Sequence, residues 1–119
     1  MPNYDLHCHS TASDGLLAPS NLVRRAAGNG VDVLALTDHD EICGLAEARA
    51  QAATLGLRFI DGVEVSISWG GISIHVVGLN IDPDNRQLQH GLRAIRQGRS
   101  ERAKKMAQDL ARVGIPGSL

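Results

Sequence analysis

The 119 residues suffice for one domain and fall short of two. With a single Phe, Tyr and Trp, any core must be aliphatic, and no apolar run reaches the roughly 18–20 residues of a membrane span. The formal charge of −1 conceals a division: residues 1–92 carry five Lys/Arg against eleven Asp/Glu, and residues 93–119 carry seven against two. An acidic, His-bearing part suits the holding of cations, and a basic tail suits meeting an anion. The start, MPNYDLHCHS, has neither the basic nor the apolar region of a secretory leader. Cys8 and Cys43 make no disulfide framework, so a cytoplasmic setting with reduced thiols is expected.

Tyr4 to His9 reads as a short strand, followed by a polar turn over Thr11 to Gly15. Pro19 suits the first turn of a helix, where its missing N–H costs nothing. That helix is expected to run through Ala27 and to stop near Gly28 and Gly30. Val31 to Leu36 is an apolar run of strand length that ends in Thr37-Asp38-His39-Asp40. Leu45 to Leu55 is Ala-rich and helical, closed by Gly56. Two short strands are expected at Leu57–Ile60 and Val63–Ser68, and Gly70-Gly71 turns the chain into Ile72–Leu79. From Gln87 to Val113 the apolar residues recur at three- and four-residue steps, with Gly98 as a point where two helices join or one bends. Strand, helix, strand, helix with short connections predicts a parallel α/β fold, whose polar clusters fall at the C-terminal ends of the strands.

Those clusters carry the chemistry. His7 and His9 are two apart on a strand and project to one face. Asp14 follows after a turn. The pair suits a divalent cation, although exposed strands carry such pairs as well. Asp38, His39 and Asp40 end a strand that is otherwise apolar, and buried ionisable groups need partners. Asp40 alone could be the N-cap of the next helix, a reading that leaves His39 without a role. Glu64 and His75 each interrupt an apolar strand pattern. Together these positions give four imidazoles and two carboxylates, donors that suit zinc, manganese or iron. Six donors exceed the need of one tetrahedral ion, and paired ions are a recurrent device for phosphate-ester hydrolysis. Cys8, between the two histidines, points to the opposite face and is expected to be a buried thiol. Cys43 is expected to be structural, His90 lies on the surface, and Asp38 orients a ligand from behind it.

His7-Cys8-His9-Ser10, Ser13-Asp14-Gly15, Thr37-Asp38-His39-Asp40, Gly62-Val63-Glu64-Val65-Ser66 and His75-Val76-Val77-Gly78 resemble, in order and spacing, the first motifs of the PHP (polymerase and histidinol phosphatase) family. The resemblance spans about residues 3–82. It implies a distorted seven-stranded β/α barrel and a phosphoesterase with two or three divalent ions, Mn2+ foremost and Zn2+ or Fe2+ as alternatives. It also implies that His7, His9, Asp14, His39, Glu64 and His75 are ligands, with Glu64 bridging two ions. Asp14 is further expected near substrate, and Asp38 and Asp40 are expected to support the ligands. Gly98-Arg99-Ser100-Glu101-Arg102-Ala103 resembles the opening of a helical insertion in PHP nucleotidases, which remove the 3′ phosphate of nucleoside 3′,5′-bisphosphates or degrade short RNA from the 5′ end. Arg99 and Arg102 share a helix face and suit phosphate binding, or they are a solvated basic face. The later family motifs, another His and a terminal Asp-x-His, do not occur before Leu119.

Residues 1–97 are therefore expected to be the first part of the metallophosphoesterase domain, with residues 98–119 beginning the insertion. On that reading the barrel does not close within the chain, and strand edges stay open. The expected partner is a small phosphorylated nucleotide or short oligonucleotide, with neither stable DNA binding nor a membrane. A module that binds metal or a partner without turnover is the competing function. A nucleic-acid-binding domain rests only on the basic tail and lacks stacking aromatics.

Overall fold

The computed structural model describes all residues, 1–119. In chain order they form β1 (Tyr4–Cys8), α1 (Pro19–Gly28), β2 (Val33–Leu36), α2 (Leu45–Leu55), β3 (Arg58–Trp69), β4 (Ile72–Leu79) and α3 (Arg86–Arg112). They fall into two compact units, Met1–Asn85 and Arg86–Leu119.

The first unit is built on a four-stranded sheet in the order β1-β2-β3-β4. β1, β2 and β3 run parallel, because α1 and α2 supply the crossovers that parallel neighbours require. The expected parallel α/β pattern holds for these three strands, and β4 departs from it by running antiparallel to β3. The cause is local. Trp69 pairs with Ile72, which leaves only Gly70 and Gly71 between the strands. Both have positive φ, 57° and 77°. A two-residue turn with both central residues at positive φ is a hairpin and cannot join parallel strands. The result is a mixed α/β unit whose sheet keeps β1 and β4 as edges, in keeping with part of a β/α barrel.

β3 is also one strand rather than two. Arg58 to Asp61 pair with β2, and Gly62 to Trp69 pair with β4. The strand changes partner at Asp61–Gly62 without interruption. Beyond the end of β2, a single parallel bridge joins His39 to Glu64.

The core lies between the parallel strands and their two helices. Val23 and Ala26 from α1, Leu34 and Leu36 from β2, Leu45, Ala48 and Ala52 from α2, and Leu57 pack together. The three- and four-residue spacing of 45, 48 and 52 puts them on one helix face. Each fully buried Leu or Val contributes about 1.5–3 kcal/mol. Every residue of β2 is buried, as expected of a central parallel strand covered on both faces.

In the second unit, α3 is a single helix of 27 residues that passes through Gly98. Neither a junction nor a second helix occurs there. The glycine costs about 1 kcal/mol relative to alanine, a penalty a long helix absorbs. No helix is long and apolar enough to cross a membrane.

Candidate metal centre

The end of β1 is fastened to the end of β2 before any ligand is placed. Thr37 Oγ1 accepts from Cys8 N–H and donates to Cys8 O, both at 3.1 Å, and Thr37 N–H donates to Cys8 O at 2.9 Å. Cys8 itself faces the core, as its position between two histidines implies, and its thiol donates to Ala35 O at 3.2 Å. Burial pushes this thiol up to about 12, with the negative charges of Asp5 and Asp38 adding to the effect. It is a protonated packing group at neutral pH. His7 and His9 project the other way.

Segment 38–40 then fastens to β3. Glu64 N–H donates to Asp38 O at 3.0 Å, and Asp40 N–H donates to Glu64 O at 2.9 Å. These bonds set Glu64 beside His39. The Glu64 carboxylate is buried and ringed by imidazoles. Its Oε2 lies 2.9 Å from His7 Nε2, 2.9 Å from His9 Nε2 and 3.6 Å from His39 Nε2. Its Oε1 lies 3.2 Å from His75 Nδ1, delivered by β4. Asp14 spans two rings, with Oδ1 3.4 Å from His9 Nδ1 and Oδ2 3.4 Å from His39 Nε2. The rings also touch: His9 and His39 stack with centroids 4.6 Å apart, and His75 meets His39 edge to face with centroids 4.9 Å apart.

The structure thus draws together the six residues singled out from sequence, in three overlapping donor sets: His7, His9 and Glu64; His9, Asp14 and His39; and His39, Glu64 and His75. Burial alone would raise the Glu64 carboxyl. The hydrogen bond from His7 and the positive charges of His39, His7 and His9 outweigh it and hold the group below its ordinary range.

Does this arrangement fit a cation? His9 Nδ1 is buried without a hydrogen-bond partner, since Asp14 is near it but not in bonding geometry. His9 Nε2 lies 3.1 Å from His7 Nε2, so two ring nitrogens face each other. Protonating every inward nitrogen would set four like charges against two carboxylates. Leaving them neutral would turn ring lone pairs toward one another and leave His9 Nδ1, the buried ring atom without a partner, unmet at a cost of about 1–3 kcal/mol. Divalent cations satisfy these lone pairs directly, and mixed imidazole and carboxylate donors suit zinc, manganese and iron.

The two acids beside His39 bond backbone and hydroxyl groups. Asp38 accepts from Ser10 N–H, Ser10 Oγ–H and Ser13 Oγ–H, each at 2.7 Å. Asp40 Oδ1 accepts from Ser66 N–H of β3 at 2.7 Å. The helix-cap alternative for Asp40 is excluded: α2 begins after Gly44 and has no side-chain cap. Ser10, fully buried, and Ser13 were not singled out by sequence reasoning. No spacing rule finds a serine whose partner is 28 residues away. Arg99 and Arg102 are exposed on α3, in the second unit, as is His90.

The family model that matches the chain is the PHP domain, over residues 5–109. The chain belongs to the PHP family. Among curated PHP relatives, it is 53% identical over 117 residues to a 3′,5′-nucleoside bisphosphate phosphatase of Chromobacterium violaceum, covering 98% of this chain and 41% of that protein. It is 48% identical to a 5′-3′ exoribonuclease of Haemophilus influenzae, covering 97% of this chain and 42% of that protein. The solved structure of an amidohydrolase from Chromobacterium violaceum, with sulfate bound and no metal, superposes with a TM-score of 0.88 at 53% identity. That match covers 97% of this chain and 40% of that one. The chain therefore spans about two fifths of the length of the proteins it matches.

Proposed function

We propose that this chain supplies the first six ligands of a metal-dependent phosphoesterase that removes the 3′ phosphate of nucleoside 3′,5′-bisphosphates and trims short RNA from its 5′ end. The observation that carries the reading is the buried Glu64 carboxylate with four imidazole nitrogens 2.9 to 3.6 Å from its oxygens. The names of the two curated relatives support the substrate class. The four strands are the first of a seven-stranded barrel, and residues 98–119 open a helical insertion.

His7, His9, Asp14, His39, Glu64 and His75 hold two or three divalent ions, with Mn2+ foremost and Zn2+ or Fe2+ as alternatives. Such ions acidify water, neutralise phosphate charge and stabilise the leaving oxygen. Glu64 is placed to divide its oxygens, one toward His75 and the other toward His7, His9 and His39. Asp14, the most exposed of the six, meets both ligand and substrate. Water rather than a side chain is the nucleophile: the Cys8 thiol is held protonated, and Ser10 is sealed from substrate. Arg99 and Arg102 grip the phosphate that is not cleaved, because a bisphosphate leaves one phosphate away from the ions.

Two measurements test this. Elemental analysis of the 119-residue chain should find bound divalent metal, and a chain that takes up none refutes the metal centre. In the longer protein, Arg99→Ala should slow phosphate release from a nucleoside 3′,5′-bisphosphate far more than from a simple monophosphate. Equal, small effects on both would reduce the substrate to some phosphate ester.

A further inference from the structure

Asp14 is the ligand that least explains its own position. It lies on the turn between β1 and α1, its side chain is two-thirds exposed, and it still meets both His9 and His39. A carboxylate on an exposed turn samples many rotamers unless something behind it fixes the backbone.

That something is buried. Asp38 is 2% exposed and takes three hydrogen bonds of 2.7 Å from Ser10, just before the turn, and Ser13, within it and next to Asp14. A buried carboxylate needs such donors to offset its desolvation, so the arrangement tolerates little slack. Ser10 O in turn accepts from Ser13 N–H at 3.1 Å and from Gly15 N–H at 2.8 Å, and Ser10 Oγ accepts from Ala12 N–H at 3.1 Å. The loop folds back so closely that a Cβ on Gly15 would lie 2.1 Å from His9 O. Ser13 Oγ–H also lies 3.4 Å from Asp14 Oδ1, but the shorter contact gives its proton to Asp38. The backbone of Asp38 meanwhile accepts from Glu64 N–H. One residue therefore links the turn that carries Asp14 to the strand that carries Glu64.

We infer that Asp38 is a positioning residue that sets Asp14 for cation binding through Ser10 and Ser13, so that the strength of the His9, Asp14 and His39 site depends on a carboxylate that touches no ion. This rests on the metal reading proposed above.

The probe is Co2+ alone, titrated into the metal-free 119-residue chain and followed by its visible ligand-field bands. Ser13→Ala removes one clamp bond at a half-buried hydroxyl and should leave the fold intact. It should weaken Co2+ binding about tenfold and alter the bands. Asp38→Asn should weaken binding by up to about a hundredfold, the range for groups that support metal ligands. Ser13→Thr keeps the hydroxyl and should restore binding. The deciding comparison is a double-mutant cycle: on an Asp14→Ala background, Ser13→Ala should cost little more, because its effect passes through Asp14. Additive losses overturn the inference. If the wild-type chain binds no Co2+, the metal reading itself fails, and amide exchange then judges the clamp. Ser10, Ser13 and Gly15 should exchange at least about tenfold faster in Asp38→Asn while β3 and β4 hold. Unchanged rates there overturn the clamp as well.

Discussion

β2 and β4 belong to one sheet and live in opposite surroundings. All four residues of β2 are buried, with Leu34 and Leu36 packed against α1 and α2. On β4, Ile72, Val76, Val77 and Leu79 are exposed, and the strand pairs only with β3. The six ligands straddle this divide. Five come from segments fastened to one another, at the end of β1 and the turn after it, just beyond β2 and midway along β3, while His75 alone arrives on β4. The parallel half supplies rigidity from its core. The hairpin contributes a ligand without a core of its own, so its order depends on the ladder to β3 and on whatever His75 holds.

The largest test of that division is Glu64→Gln, assayed for the proposed phosphoesterase activity in a chain of the relatives' full length. Glu64 is the point where both halves meet, and we expect phosphate release to fall roughly a thousandfold, the scale of losing a preorganised electrostatic group. Near-normal turnover would remove Glu64 from the centre. Next in size is a pair of truncations read by chemical denaturation. Leu34→Ala, in the packed half, should destabilise by about 3 kcal/mol, whereas Val77→Ala, on the edge strand, should cost under about 1 kcal/mol. Similar costs would mean the hairpin is as well packed as the core.

A gentler probe is metal itself. Saturating Mn2+ or Zn2+ at about 100 times its dissociation constant should stabilise the chain by about 2.7 kcal/mol. The accompanying slowing of amide exchange should be greater in β4 than in β2, and a chelator should reverse it. Uniform slowing would show that the two halves already behave as one. The smallest effect concerns the thiols. Cys43 is exposed and Cys8 is not, so iodoacetamide at pH 8 should label Cys43 first. The folded-state pKa of Cys8 is raised from 9.0 to about 12, chiefly by burial. The unfolded chain therefore loses this proton first, and the associated stability is intact below about pH 9 and lost as pH climbs toward 12. A Cys8→Ala chain should lack that alkaline decline.

The parallel half was largely legible in the sequence. The buried run of β2 and the Ala-rich face of α2 each declare themselves through local composition, and the spacing of His7, His9, His39 and Glu64 survives in the site. The hairpin was harder to read. Asp61-Gly62 looks like a break between two strands, yet Asp61 pairs with Arg49 of α2 and Gly62 admits Thr37. Only a partner on each side shows that the strand continues. The Gly70-Gly71 turn held the signal for an antiparallel return, and the regular alternation of strands and helices outweighed it. Ser10 and Ser13 were invisible because their role depends on a residue far along the chain, and sequence periodicity describes only neighbours.

Asp40 has a consequence for how this protein can drift. It is buried and sits at φ 51°, where side chains other than Gly, Asn and Asp are strained, and its carboxylate must also meet Ser66. Glycine suits the backbone and abandons the contact. Glutamate keeps the charge and fails the backbone. Asparagine alone retains both a tolerant backbone and an acceptor oxygen of the right reach. Position 40 is therefore a narrow gate in sequence space, and a saturation library selected for folded protein should return aspartate and asparagine almost to the exclusion of the other eighteen residues.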